Sequence, residues 1–205
     1  MLKAVRCVLA LALLLAAGAA LAAAEVKPYA RDDLASDVVR LTETLRKETA
    51  QIGARLKGKS VEQMRKEANS DAGAGNYKDA GAWLGAAVAA DPKSSASWLA
   101  LARLGAAADD AQADGRYDLV ERGQTAAYAA YQRATGAPAQ AEALALLGEL
   151  FARHEMWRPA LDAYRASLDR RDDEDVGKTY EDMREKHGFR IVDYKVDNES
   201  AQPRV

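Results

Sequence analysis

The sequence predicts an all-α fold in which antiparallel helix pairs stack side by side as an α-solenoid, followed by one C-terminal β-strand without a partner. Alanine is abundant, and runs of β-branched residues are scarce before the C-terminus, which favours helix. Apolar residues recur with helical spacing. A pattern of large and small residues also appears more than once along the chain, which is typical of stacked repeats.

Residues 1–24 are predicted to be a signal peptide rather than part of the fold. Lys3 and Arg6 precede an apolar stretch over 8–15, and the alanines at 22–24 fit a signal-peptidase site before Glu25. The apolar stretch is shorter than the ~20 residues that span a bilayer, so an uncleaved anchor is the weaker alternative. We therefore expect export to the periplasm or to the medium.

The composition after cleavage excludes several classes of function. The mature chain has 181 residues, of which 27 are basic and 31 acidic, for a net charge of −4. Cys7 is the one cysteine and leaves with the signal, which removes disulfides, thiolate nucleophiles and cysteine metal ligands. There is no basic stripe to attract nucleic acid and no second apolar run to cross a membrane.

A long amphipathic helix is predicted from about residue 34, behind an acidic start at Asp32 and Asp33. Its apolar residues share one helical face: Leu34, Val38, Leu41, Leu45, Ile52 and Leu56. We expect this face to pack on neighbouring helices, and a coiled-coil seam for a second chain is the alternative. A capping box formed by Ser60 and Gln63 then starts the next helix.

Two segments share a repeated pattern. Gly75–Ala80 leads to Leu84, and Glu155–Ala160 leads to Tyr164. In both segments an aromatic residue stands three positions before an alanine, and a large residue follows that alanine four positions later. This pattern resembles the second helix of a tetratricopeptide repeat, which is a unit of two antiparallel helices.

We therefore predict three helix pairs, at 61–90, 95–134 and 140–169, within a helical repeat domain over 25–188. The middle pair is roughly a dozen residues longer than such a repeat needs, around a turn near Asp114. Small residues let paired helices approach, and large residues fill the grooves between them. The expected packing residues are Ala80, Leu84, Trp98, Ala127, Tyr131, Leu144, Gly148, Phe151, Ala160 and Tyr164.

The C-terminal segment 189–205 differs in character from the rest of the chain. Val192, Tyr194 and Val196 alternate with charged residues, which predicts a β-strand. A single strand cannot pair its own backbone groups. We expect the polypeptide to continue beyond this sequence into a β-domain, and a partner that supplies the sheet is the alternative.

No catalytic motif is present in the sequence, and we expect neither enzymatic activity nor a cofactor. His154 and His187 have no second histidine or cysteine near them in sequence and are expected to be surface or capping residues. Sequences of the H-E-x-x-H and G-x-S-x-G types are missing. Gly73 and Gly75 follow a predicted helix rather than a strand, which argues against a nucleotide site.

One segment has the spacing of a calcium-binding EF-hand loop. The residues that carry oxygen at the ligand positions are Asp110, Gln112, Asp114, Asp118 and Glu121. Gln112 replaces the usual Asp or Asn, and the sequence has no paired second loop. We therefore expect a polar turn between helices, with calcium binding as the alternative.

Seven aromatic residues admit two interpretations. In one interpretation they line a peptide-binding groove, and in the other they fill the core of the repeats. We expect most of them to be core residues. The seven are Tyr77, Trp83, Trp98, Tyr128, Tyr131, Trp157 and Tyr164.

The segment Gly188–Asp197, followed by Gln202–Val205, resembles the entry into the first macroglobulin-type β-domain of bacterial alpha-2-macroglobulin-like proteins. Trp157–Arg165 and Leu34–Leu45 are similar to the N-terminal helical region that some of these proteins carry. The resemblance implies a periplasmic protein of envelope defence whose N-terminal part is a docking or spacer module. That family traps proteases after cleavage of a bait segment, often with a cysteine–glutamine thioester. No residue here matches those motifs, so this activity is not carried over.

The sequence leads to three hypotheses for function. The first is a non-catalytic interaction or scaffold module of an exported macroglobulin-like protease inhibitor, of which this chain is a fragment. The second is a free-standing periplasmic repeat adaptor that binds a peptide or an envelope protein. The third is a calcium-binding or enzymatic helical domain.

Overall fold

The computed structural model describes residues 26–188, and within them the chain is all-α, as predicted. The helical body begins at Arg31. Its nine helices are α1 (Asp32–Gln51), α2 (Gly53–Leu56), α3 (Val61–Gly73), α4 (Tyr77–Ala90), α5 (Ser95–Asp110), α6 (Arg116–Arg133), α7 (Ala137–Arg153), α8 (Trp157–Leu168) and α9 (Glu174–His187). The predicted signal peptide and the predicted C-terminal strand lie outside the described residues.

Six of these helices form the three predicted pairs, α3 with α4, α5 with α6, and α7 with α8. A short turn joins the two members of each pair, so they run antiparallel. Successive pairs stack through α4 on α5 and α6 on α7, and the first helices α3, α5 and α7 also touch in order. The long helix α1 packs on the second helices α4 and α6, which leaves the first helices uncovered by it.

Side-chain caps explain why three of the helices start where they do. In the predicted capping box, the amide N–H of Gln63 donates to the Ser60 hydroxyl at 3.2 Å, and the Ser60 N–H donates to the Gln63 side chain at 2.8 Å. Ser94 caps α5 by a single bond, in which its hydroxyl accepts from the N–H of Ser97. Asp173 caps α9, and the hydrogen bond from the Val176 N–H lowers the pKa of this carboxyl.

All ten residues expected to pack the repeats are buried in the structure. The alanines meet the facing helix with no exposed surface, while Trp98 and Leu144 fill the space beside them. At Gly148 an added Cβ would lie 2.9 Å from the ring of Tyr164, so the two helices of the third pair touch at this residue. Of the seven aromatic residues, five are buried and Tyr77 and Trp157 are partly exposed.

A close contact between two helices falls at a residue that the sequence analysis did not name. An added Cβ at Gly105 on α5 would lie 2.5 Å from the backbone oxygen of Leu119 on α6. Gly123 faces the same crossing from α6, where an added Cβ would lie 3.3 Å from the backbone oxygen of Ala102. The extended middle pair is therefore held by backbone-to-backbone contact between glycines.

Two helix boundaries differ from the prediction. The first long helix stops at Gln51, because Ile52 leaves the helical conformation with φ −103° and ψ 12° and is followed by Gly53, a poor helix former. Leu56 therefore lies on the separate short helix α2 and is only partly buried. The third pair starts at Ala137 rather than residue 140, since Pro138 suits the first turn of a helix.

Candidate protein-interaction groove

An open groove lies between α3 and α5, the first helices of two successive pairs. Its volume is about 650 Å³. The floor consists of small and aliphatic side chains from both helices and from α4: Ala68, Ala72, Leu84, Ala100, Leu104 and Ala107. Because alanine dominates this floor, the main chain of a bound segment has room to approach the helices closely.

The α3 rim of the groove carries polar groups that the protein leaves poorly satisfied. Arg65 is 30% exposed, and its Nη2 reaches the carboxylate of Glu62 at 3.4 Å, while that glutamate side chain is 87% exposed. The Nε of Arg65 is buried and has no hydrogen-bond partner among residues 26–188. Lys66 and Asn69 line the same rim and are exposed, and their side chains have no hydrogen bond or salt bridge within the described chain.

The opposite rim of the groove is formed by Arg103 on α5. Its side chain is 60% exposed and pairs with Glu142 on α7, which is 45% exposed. This pair joins the first helices of the second and third repeats. The groove between α3 and α5 is therefore closed at one side by an ion pair with access to solvent.

Of the groove's polar residues, the sequence analysis named Gln63 alone, and it named that residue for its role in the capping box. One of the other groove residues could have been found from the sequence of α5, because Arg103 is the single charged residue between Ser95 and Ala108. On α3, Arg65 and Asn69 are four positions apart and so share a helical face. That this face meets Arg103 depends on how α3 and α5 pack, which the sequence pattern alone does not specify.

A second cavity of about 580 Å³ lies between α1, α4 and α6. Three of the five charged residues that line it pair with one another, while Lys78 and Asp114 are exposed. Arg122 donates to both carboxylate oxygens of Glu48 at 2.9 and 3.0 Å and lies 2.9 Å from Asp118. The hydrogen bonds to Glu48, with a smaller contribution from Asp118, raise the pKa of Arg122 above its ordinary value despite its burial. The one arginine of this cavity is thus held by internal partners, and the two charged residues left over, Lys78 and Asp114, are of opposite sign.

The five EF-hand candidates do not come together in the structure. Asp110 ends α5 and pairs with Arg153 at 2.7 Å, whereas Asp118 pairs with Arg122. Gln112 and Asp114 are exposed in the turn, and Glu121 is exposed on α6. Within residues 26–188, no group of three or more His, Asp or Glu side chains is arranged to hold a metal ion.

Arg153 is the centre of a charged cluster at the end of the second and third pairs. It donates to Asp109 at 3.1 Å, to Asp110 at 2.7 Å and to Glu149 at 2.6 Å. Burial by itself would lower the pKa of Arg153, but these three carboxylates raise it above its ordinary value. Its partners Asp109 and Asp110 belong to α5, so the cluster links α5 to α7 by ion pairs.

The two histidines lie at helix ends and not in a cluster of ligands. His154 caps the C-terminus of α7, and its Nδ1 lies 3.3 Å from the amide nitrogen of Gln124. His187 ends α9 and stacks on the Trp157 indole, with ring centroids 3.9 Å apart. This stack ties the last helix to α8.

Comparison with known proteins gives no match to this chain, either among protein-family models or among curated proteins. Within residues 26–188, no helix combines the length and apolar character needed to cross a bilayer.

Proposed function

We propose that this protein is a non-catalytic interaction module that holds a segment of a partner protein in the groove between α3 and α5. The observation that carries this proposal is the polar rim of Arg65, Lys66 and Asn69, which faces a small-residue floor and has poorly satisfied groups within the described chain. A side chain held by internal partners, such as Arg122, has no comparable need of a ligand.

The shape of the groove favours an extended segment. Its volume of about 650 Å³ suits a stretch of a few residues, and alanine along the floor lets a main chain lie close to both helices. Leu99 and Leu104 provide the apolar contact that small side chains of such a segment need. Helix α1 packs on the second helices α4 and α6, whereas the groove lies between the first helices α3 and α5.

The resemblance to alpha-2-macroglobulin-like proteins supports one setting for this module. In that setting the module is the N-terminal docking part of an exported protease inhibitor of the envelope. A free-standing periplasmic adaptor that binds a peptide or an envelope protein is the second candidate, and it uses the same groove. Calcium binding has less support, since its five candidate ligands lie apart in the structure.

The proposal is tested by panning displayed random peptides of about 12 residues against the purified protein and against the Ala100→Trp variant. Ala100 lies in the groove, so the indole should occupy the space a peptide needs. We expect peptides that bind the wild type and bind the variant at least about tenfold more weakly.

A tryptophan on another surface is the matched control. Val39 on α1 is 61% exposed and lies outside the groove, so Val39→Trp should leave peptide binding unchanged. Thermal melting of both variants checks that each remains folded. The proposal is wrong if no peptide is enriched, or if enriched peptides bind the Ala100→Trp variant as well as the wild type.

A further inference from the structure

We infer that the segment held by this groove is acidic and that its Asp or Glu side chains pair with Arg65, Lys66 and Arg103. This inference rests on the proposed function and adds the chemistry of the partner. Three features of the described residues support it: the charge of the groove, the poorly satisfied guanidinium of Arg65, and the internal competitor that holds Arg103.

The charge of the groove is opposite to that of the whole chain. The full sequence carries a net charge of −2. Among the described residues that line the groove, however, Arg65, Lys66 and Arg103 are cationic and Glu62 is the one carboxylate, so one positive charge is left over even when Glu142, the partner of Arg103, is counted. A local positive field in a mildly acidic protein attracts carboxylates to this site and repels cationic segments.

Arg65 is the strongest single contact for a carboxylate. A guanidinium presents its Nε and Nη donors as a planar fork that matches the two oxygens of a carboxylate. Here the Nε is buried and has no hydrogen-bond partner among residues 26–188, and the Nη2 has only the 3.4 Å contact to Glu62. An acidic side chain arriving from the groove would pair with the exposed part of this guanidinium, whose one internal carboxylate is 3.4 Å away.

Arg103 is held by a competitor within the protein. Its partner Glu142 belongs to α7, the first helix of the next pair, and both side chains are about half exposed. A carboxylate of the bound segment has to take the place of Glu142 or share Arg103 with it. Removal of the Glu142 charge should therefore strengthen the binding of an acidic segment.

A protein segment fits the groove better than a nucleic acid. None of the residues that line it is aromatic, so the bases of a single strand would have no ring on which to stack. Glu62 and Glu142 flank the cations and would repel a continuous phosphate backbone. Separate carboxylates on a peptide meet the cations individually.

The test uses two fluorescein-labelled peptides of about 12 residues, one with glutamate alternating with alanine and serine, and one with glutamine at each glutamate position. Fluorescence anisotropy with the purified protein at low salt measures both affinities. We expect the glutamate peptide to bind at least about tenfold more tightly than the glutamine peptide. Its affinity should fall as salt is raised, since exposed ion pairs are screened.

Three variants locate the effect. Arg65→Gln combined with Lys66→Gln should weaken binding of the glutamate peptide by about tenfold or more. Glu142→Gln should strengthen it a few-fold, a gain that misfolding cannot imitate. The matched control is Arg46→Gln with Lys47→Gln, which removes two exposed charges from α1 outside the groove and should leave the affinity unchanged.

Several results would overturn the inference. They are failure of the glutamate peptide to bind, equal affinity for the two peptides, loss of affinity in Glu142→Gln, or tighter binding of an oligothymidine. The panning experiment separates this failure from that of the proposed function. If panning enriches peptides that bind the wild type but not Ala100→Trp, and these peptides are not rich in Asp and Glu, the inference is wrong and the proposed function stands. If no such peptide is enriched, the inference and the proposed function are both wrong.

Discussion

Single residues without side chains set how closely the helices of this protein approach. At Gly105 the neighbour of an added Cβ would be the backbone of α6, with the Leu119 oxygen at 2.5 Å. At Gly148 the nearest neighbour of an added Cβ would be the ring of Tyr164, at 2.9 Å. A ring can move by small rotations, but a backbone oxygen moves only with its helix. The two glycines should therefore respond differently to the same substitution.

We predict that Gly105→Ala lowers the free energy of unfolding by about 2–3 kcal/mol, because the helices of the middle pair have to separate. Gly148→Ala should be milder, at about 0–1 kcal/mol, because alanine's higher helix propensity offsets part of the strain. Gly148→Leu should lose about 1–3 kcal/mol or more by overpacking. Urea unfolding followed by circular dichroism measures all three.

Gly177 on α9 is the control for these variants, since an added Cβ there has no neighbour within 4 Å. Gly177→Ala should leave the stability unchanged or raise it by up to about 1 kcal/mol through helix propensity. If Gly148→Leu is tolerated as well as Gly148→Ala, or if Gly105→Ala is neutral, the contacts assigned to these glycines are wrong.

The phenol of Tyr164 makes stability depend on alkaline pH. Burial, with a smaller contribution from Glu149, raises the pKa of Tyr164 from 10.0 to about 12. The folded state therefore holds this proton more tightly than the unfolded state. The contribution of this phenol to the free energy of unfolding is fully present below about pH 10 and is lost as the pH rises through about 12. We predict that Tyr164→Phe, which keeps the ring, loses less stability over this range than the wild type does.

Urea unfolding of both proteins between about pH 9 and pH 12 measures this difference. Tyr117→Phe is the control, because Tyr117 is 65% exposed and its replacement also removes one phenol. Parallel curves for the wild type and Tyr164→Phe would contradict the prediction.

At the scale of elements, the three turns within pairs share one way of ending a helix. A residue with positive φ follows each first helix: Gly75 at 82°, Gln112 at 51° and Glu155 at 56°. The next amide in each turn donates back to a carbonyl five residues earlier, at 2.8, 2.9 and 3.0 Å. This is the Schellman arrangement, in which glycine is preferred because it has no Cβ to strain the left-handed conformation.

We predict that Glu155→Gly stabilises the protein by about 0.5–1 kcal/mol, because it relieves the left-handed strain and removes a negative charge beside a helix C-terminus. The melting temperature should rise by about 1–4 °C. Gly75→Ala is the matched opposite and should destabilise by a similar amount. A Glu155→Gly variant that melts below the wild type would show that this side chain stabilises the turn.

Most of the elements followed from local patterns, and the exceptions have identifiable causes. The capping box of Ser60 and Gln63, and the helix start that it marks at Val61, follow from residues next to each other in sequence. The end of α1 did not follow, because the apolar spacing continues through Ile52 and Leu56 while the backbone turns at Ile52. Periodicity describes which face is apolar, and it does not require that the helix persist.

At the scale of the whole molecule, contacts between pairs join them into one stack. Arg153 on α7 pairs with Asp109 and Asp110 of α5, and Arg103 of α5 pairs with Glu142 of α7. Helix α1 packs on both α4 and α6 and so ties the first two pairs together. The groove is part of this stack, because its two walls belong to different pairs.

The cellular location of the protein is a prediction from its N-terminal sequence. Lys3 and Arg6, the apolar stretch over 8–15 and the alanines at 22–24 predict export and cleavage before Glu25. N-terminal sequencing of the protein from a periplasmic fraction should begin at or within about two residues of Glu25. Ala24→Arg should block this cleavage, and a mature wild-type product that retains Met1 would contradict the prediction.

By itself, the sequence determined the all-α class, the three helix pairs and the residues that fill the space between them. It did so because helical periodicity, caps and the alternation of small and large side chains each depend on residues that are close together in the sequence. Only the tertiary structure decided that Gly105 sits where α5 and α6 approach to backbone contact and that Arg65, Lys66 and Arg103 line one groove. Those relations join residues far apart in the chain, and the packing of α3 on α5 brings them together.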